Sequence, residues 1–202
     1  VKSQEKLRVS DAKVDFYTRD ILYVSGWVND TDLIHTFVNH WSSRRKGQLE
    51  SEHKRLKAAK ILRAKVDEIL KVDQAANIVI MGDFNDGVTN RSILTELGAK
   101  GYHHKLKPNE LINLMSDEDL EQKGTLVYKR EWYLFDQLII SQNMKSVSNP
   151  VHVEMEQNNI VKEDKLLYTF KDGNSKPNAT YGGNNYYGNY SDHLPVRLTI
   201  KL

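Results

Sequence analysis

The apolar positions along the chain change their period several times, and each change marks an element. Leu56, Ala59, Leu62, Val66 and Ile69 recur at spacings of three and four, which puts them on one face of a helix over 51–71. Ser51 heads that run as its expected N-cap, and Lys and Glu fill the remaining surface. Upstream, 20–25 and 33–38 are rich in β-branched and aromatic residues, with the turn signal Asn29-Asp30 between them, so the pair reads as an antiparallel hairpin. The run 77–81 is short and apolar on both faces, as a buried central strand would be. A second, shorter helix is expected to start at Asn90 or Ser92 and to stop at Gly98.

Farther on, two strands are expected at 125–129 and 134–141. From about 143 to 190 the chain is polar and rich in Asn, Gly and Tyr, with strands expected at 151–155 and near 166–170. The end, 194–202, alternates as a terminal strand. Strands mostly joined as hairpins, with helices interspersed, predict helices packed on antiparallel sheets.

Composition narrows the function classes. A chain of 202 residues with 39% hydrophobic and 28% charged residues has the make-up of a globular domain. Its net charge of +2 is small, so any attraction to nucleic acid or phosphate has to be local. There is no cysteine, which excludes disulfides, thiolate nucleophiles and zinc–sulfur sites. No apolar run approaches the roughly 20 residues that span a bilayer, and 1–6 carries no readable address.

Four places carry candidate chemistry. In Gly82-Asp83-Phe84-Asn85 a buried strand ends, and alternation points Asp83 and Asn85 the same way while Phe84 enters the core. The carboxylate can hold or deprotonate a water and the amide can donate to a phosphoryl oxygen; the alternative is an Asx turn that closes the strand. Ser191-Asp192-His193 precedes the last strand, where adjacent Asp and His face opposite ways and so serve different partners, Asp192 a metal ion for instance. Asp136 lies in an otherwise apolar strand, where a His partner would offset the cost of burying it; a solvent-facing sheet edge is the alternative. Asn39 and His40 end a strand, and Arg44-Arg45-Lys46 follows in a basic loop, so an imidazole and two guanidinium groups could bind phosphate; a solvated loop is the alternative.

Taken in order, a strand-end His, Gly-Asp-Phe-Asn, an Asp inside a strand and Ser-Asp-His resemble the endonuclease/exonuclease/phosphatase superfamily. A finer likeness, to a bacterial subgroup much seen in Bacteroidetes, rests on Thr18-Arg19-Asp20, Val38-Asn39-His40-Trp41, Gly82-Asp83-Phe84-Asn85-Asp86, Gly124-Thr125 and Tyr190-Ser191-Asp192-His193. The resemblance implies an α+β fold, the four-layer α/β-sandwich of the DNase I-like type, with two mainly antiparallel sheets flanked by helices. It implies that Asp83 activates the attacking water, Asn85 holds the phosphate, and His193, oriented by Asp136, contacts the scissile phosphate. His40 would be a second acid–base group, Arg44, Arg45 and Asn39 would bind substrate, and Asp192 would help to hold magnesium or manganese.

One part of the family pattern has no match, a first strand with an Asn followed by a Gln-Glu pair whose Glu is the main metal ligand. Gln4-Glu5 has the letters without the preceding apolar strand. The expectation is therefore one domain, 1–202, forming the C-terminal portion of the family domain, with a missing N-terminal segment or self-association to complete it. The expected activity is metal-dependent hydrolysis of a phosphoester, nucleic acid included. The alternatives are a fragment that binds phosphate or nucleic acid without turnover, through Arg44–Lys46 and the Tyr181–Tyr190 loop, and a structural protein that reuses the fold.

Overall fold

The computed structural model describes residues 1–11, 16–116, 123–154 and 159–202. Its centre is a seven-stranded sheet in which Ser3–Leu7, Ile21–Val28, Asp32–His40, Asn77–Asp83, Asp136–Ser141, Leu111–Asn113 and Ala99–Gly101 lie side by side in that order. Ile21–Val28 and Asp32–His40 form the expected hairpin. Its turn is left-handed at both Asn29 (φ 51°) and Asp30 (φ 59°), residue types that tolerate this region and match the twist of the flanking strands.

The pairing of Asp32–His40 with Asn77–Asp83 departs from the expected antiparallel arrangement. The two strands are parallel, and the long helix Gln48–Val72 is the crossover between them, because parallel neighbours cannot be joined by a tight turn. Ala99–Gly101 and Leu111–Asn113 are also parallel. The other pairings of the large sheet are antiparallel.

Strand alternation sends the core to both faces of the sheet. Phe37, Ile78, Ile80 and Ile139 meet Ala59, Leu62 and Val66 of the helix in one apolar cluster. Val79, Leu138, Ile140 and Ile112 face the other way, against Val151, Val153 and Leu194. Side chains such as Leu62 and Val66, fully buried, contribute about 1.5–3 kcal/mol each. On that second face the hairpin end is thinly covered, and Val38 is 43% exposed.

Several local expectations are corrected. The helix begins at Gln48, with Gly47 at the N-cap in a backbone conformation (φ 104°) that favours glycine. Ser51 is inside the first turn, where its hydroxyl donates back to the Gly47 carbonyl at 2.5 Å. The short helix Ser92–Leu97 is a π-helix that ends at left-handed Gly98. The segment 125–141 holds Leu126–Tyr128, Glu131–Tyr133 and Asp136–Ser141, because Lys129 and Arg130 take left-handed angles and make a hairpin turn without the usual Asn-Gly signal.

The strand expected at 151–155 is His152–Glu154, with residue 155 outside the described residues, and the one near 166–170 is Leu167–Thr169. The expected terminal strand shrinks to Thr199–Lys201, paired with His152–Glu154. Before it, Pro195 has no N–H to give, and the donors of Leu194 and Arg197 go to different partners, Thr125 and Asn159. Among the described residues no helix is long and apolar enough to cross a membrane.

Candidate active site

Three neighbouring strands deliver their functional residues to one level. In the pairing register His40 stands opposite Asp83, and Asp83 opposite Asp136. Residues paired across a sheet share a face, and Asp83 has the same parity as Val79 and Met81, so all three point away from the helix. Gly82 makes this approach close: at φ 127° it is left-handed, and a Cβ there would sit 2.0 Å from the Asn39 carbonyl oxygen. The backbone then continues the alignment, with Trp41 N donating to Asp83 O and Phe84 N to Phe135 O, both at 2.9 Å.

His193 arrives from the far end of the chain. A bridge between Leu126 and His193 and a 2.7 Å bond from Leu194 N to Thr125 O fix its backbone. Its Nδ1 lies 2.7 Å from Asp136 Oδ2, and Thr125 Oγ1 donates to the same oxygen at 2.5 Å. The carboxylate in the apolar strand thus has an imidazole and a hydroxyl beside it. Burial alone would lower the pKa of His193, but the Asp136 hydrogen bond and charge, helped by Asp83 and Asp192, carry it above 6.5.

Asp83 is shifted up as well. Burial is the main cause and the nearby Asp136 carboxylate adds to it, against the Asn85 N–H and the two histidines. His40 Nε2 lies 3.5 Å from Asp83 Oδ2. Burial and the charge of Arg19 pull His40 below 6.5, outweighing the attraction of Asp83.

Donor atoms of Asp83, Asp136 and His193 all lie within 4.8 Å of one another. Two carboxylates and one imidazole suit magnesium or, because of the nitrogen, manganese. The Asp136 repulsion, which adds to the burial that raises Asp83, is what a divalent cation would neutralise, so the two carboxylates fit such an ion. Asp192 is exposed and lies outside this group of three, and among the described residues no glutamate joins it. Glu5 is elsewhere, 2.9 Å from Lys65 on the helix.

The remaining expected residues are placed differently from the sequence reading. Asn39 is buried in the strand end, its amide donating to Met81 O at 3.2 Å and its Oδ1 accepting from Trp41 Nε1 at 3.0 Å. Asn85 forms the Asx turn: its N–H donates to Asp83 Oδ1 at 2.8 Å and its amide to Asp83 Oδ2 and the Trp41 carbonyl. Those bonds aim the Asp83 carboxylate. Arg44 turns inward, donating to Asn85 O at 2.6 Å and Asp86 Oδ1 at 2.6 Å while its guanidinium lies 4.4 Å over the Phe135 ring. Arg45 stays exposed.

Behind this loop is a network that the sequence reading missed. Asp86 Oδ1 also lies 2.8 Å from Arg55 Nε, whose N–H is misaligned, so that contact is ionic and not a hydrogen bond. Arg55 is wholly buried on the apolar face of the helix, one turn after Ser51 and one before Ala59. A charge inside an apolar stripe was the signal available. Gln137 Nε2 holds the Asp86 carbonyl at 2.6 Å, and Asn113 in turn holds Gln137 at 2.7 Å. Thr125, of the Gly124-Thr125 pair, belongs to the site through its hydroxyl on Asp136.

A family model described as the endonuclease/exonuclease/phosphatase family matches residues 1–202. The chain belongs to that family. No curated protein sequence matches it. Among solved structures it is similar to a Bacteroides thetaiotaomicron mannosyl-6-phosphatase at 13% identity and TM-score 0.53, covering all of this chain and 67% of that one. TDP2 of D. rerio in complex with a single-strand DNA product gives 13% identity and TM-score 0.53, over 99% and 67% of the two chains. Beta toxin of Staphylococcus aureus with bound magnesium ions gives 17% and 0.50, over 88% and 56%. The family member described here thus spans 56% to 67% of the length of these three structures, which share its α+β DNase I-like sandwich fold.

Proposed function

We propose that this protein hydrolyses a phosphoester by direct attack of water, assisted by magnesium or manganese. Membership of the family supports the reaction class, as do the phosphatase, DNA-product and magnesium complexes among its structural neighbours. The observation that carries the reading is the placement of Asp83, Asp136 and His193 within one 4.8 Å group, with His40 at the same level. Asp83, more basic than an ordinary carboxylate, takes the proton of the attacking water. His193, its Nδ1 engaged by Asp136, presents Nε2 to the scissile phosphate and is favoured in its protonated form.

His40, favoured in its neutral form, is the second hydrogen-bonding group on the phosphate. As the new P–O bond forms, the ester P–O bond breaks and the alcohol leaves with the proton that His193 gives it. A bound divalent cation supplies charge neutralisation for the phosphoryl oxygens. The carboxylates of Asp83 and Asp136 would hold it, with Asp192 as the exposed addition, while His193 stays with the phosphate.

The test compares wild type with His193→Ala and Asp83→Asn on bis-p-nitrophenyl phosphate and plasmid DNA, with magnesium or manganese. Each substitution should lower the rate about 100-fold or more. Equal residual rates in all three proteins refute the assignment. A second reading, phosphate binding without turnover, is favoured by the lack of a glutamate in the group of three among the described residues. It predicts that phosphate protects the fold in a metal-dependent way while no substrate is consumed.

A further inference from the structure

Four exposed tyrosines lie in the stretch of chain that leads into His193 and take no part in the core. Tyr181–Gly182 pairs with Asn185–Tyr186 as a small hairpin, and its base is fastened. Tyr187 N donates to Thr180 O at 2.8 Å, Thr180 Oγ1 to Tyr190 O at 2.6 Å, and Tyr190 N to Asn178 O at 3.0 Å. Asn178 N in turn donates to Leu166 O at 2.8 Å. From Tyr190 the chain reaches His193 within about 11 Å of backbone. The hairpin is therefore an anchored projection whose base comes within that reach of His193.

Its rings form a cluster with open faces. Tyr181 and Tyr186 have centroids 5.2 Å apart, and the Tyr187 ring lies so close over Gly182 that a Cβ there would meet it at 2.4 Å. Yet Tyr181, Tyr186, Tyr187 and Tyr190 remain 57% to 68% exposed. Asn184, Asn185 and Asn189 are exposed between them. Leaving such rings in water is costly unless something covers them, and three of them have already been gathered.

The charge pattern restricts what that is. Between 177 and 196 there is no Lys or Arg, and Asp192 is the one acid. Two of the cations that precede this stretch are engaged: Lys165 pairs with Glu163 at 2.6 Å, and Lys176 lies over the rings of Tyr168 and Phe170. A polynucleotide needs a positive track for its phosphates. A surface of Tyr, Asn and Gly instead recognises neutral groups, by ring stacking and by adaptable amide hydrogen bonds.

We propose that the 178–190 hairpin is the specificity surface of this site and takes a neutral ring, a sugar or a nucleobase, carried on a small phosphoester. This rests on the phosphoesterase reading above, so the experiment has one arm that needs no turnover. In the full chain, the exposed residues Tyr181, Tyr186 and Tyr187 are replaced together by Ser. Kinetics with manganese are measured on glucose 6-phosphate and adenosine 5′-monophosphate, on ringless glycerol 2-phosphate, and on a single-stranded DNA oligonucleotide. Saturation-transfer NMR follows the ring protons of the first two ligands.

KM for at least one ring-bearing substrate should rise about fivefold or more in the variant, with kcat and the glycerol phosphate kinetics unchanged. Saturation of the ring protons should be seen with wild type and lost in the variant. If nothing is hydrolysed but that saturation persists in wild type alone, the phosphoesterase reading falls and the ring surface stands. Equal effects on glycerol phosphate, or no effect and no ring saturation, overturn the proposal. So does DNA binding that is steeply salt-dependent and lost in the variant, which would mark a polynucleotide surface.

Discussion

Replacing Asp86 by Asn tests whether the loop behind the candidate site is held by charge. Asp86 is almost fully buried between Arg44 and Arg55, and Ser92 Oγ donates to its other oxygen at 2.5 Å. Asparagine keeps the shape and one acceptor but removes the negative charge, leaving Arg55 enclosed with no ionic partner. Breaking a buried pair in this way costs about 3–5 kcal/mol. Here the guanidinium keeps neutral partners, the Ser42 carbonyl at 3.3 Å, Ser51 Oγ at 2.8 Å and the Gln48 carbonyl at 2.7 Å. Those bonds solvate part of the charge, so the expected loss sits at the lower end, about 3 kcal/mol.

Urea unfolding at pH 7, followed by circular dichroism, measures it as a lower midpoint at unchanged slope. The added change Arg55→Met should recover much of the loss, since it removes the stranded charge and leaves a side chain of similar length. A loss below about 1 kcal/mol, or no recovery in the double variant, would refute the account. It would mean that the pair acts as a solvated contact and that Asn85 and Asp83 are positioned by backbone alone.

Three further outcomes are expected. Gly82→Ala places a Cβ against the Asn39 carbonyl in a left-handed position and should destabilise by more than about 1 kcal/mol, read as a lower melting temperature. In metal-free protein, Asp136→Asn should lower the His193 pKa in an NMR titration. Because the folded pKa of His193 lies above its ordinary 6.5, this stabilisation is complete below 6.5 and fades as pH rises through the folded value, so the variant should lose more stability at pH 5.5 than at pH 8.5. Glu110 is held below its ordinary 4.5 by the Lys100 hydrogen bond and the Lys107 N–H. Glu110→Gln should therefore cost ~1 kcal/mol at pH 7, a difference that closes as pH falls through the folded pKa below 4.5, in paired denaturant titrations.

The parts of the fold written in local periodicity were legible. The helix stripe from Leu56 to Ile69, the hairpin around Asn29-Asp30 and the apolar strand 77–81 each carry their signal within a few residues. The terminal strand was not legible in extent, because alternation says nothing about whether one partner or several take the donors of Leu194 and Arg197. The same limit applied at the site. A carboxylate at 136 asks for a partner, but only the chain path that returns 193 beside Leu126 brings His193 to it. Asn39 and Arg44 looked available as polar residues in a strand end and a loop, and the inward turn of their side chains depends on Trp41, Asp86 and Phe135, which no spacing relates to them.

The parallel pairing of Asp32–His40 with Asn77–Asp83 has a consequence for how this sequence can vary. His40 faces Asp83 only in the present register. Deleting one residue anywhere between 34 and 39 would either shift that pairing or bulge the strand, and a one-place slip turns His40 toward the helix side. Every site residue would still be encoded, and a motif search would still find each of them. Length between motifs, more than the motifs themselves, is what separates a family member with an assembled site from one that only carries its letters.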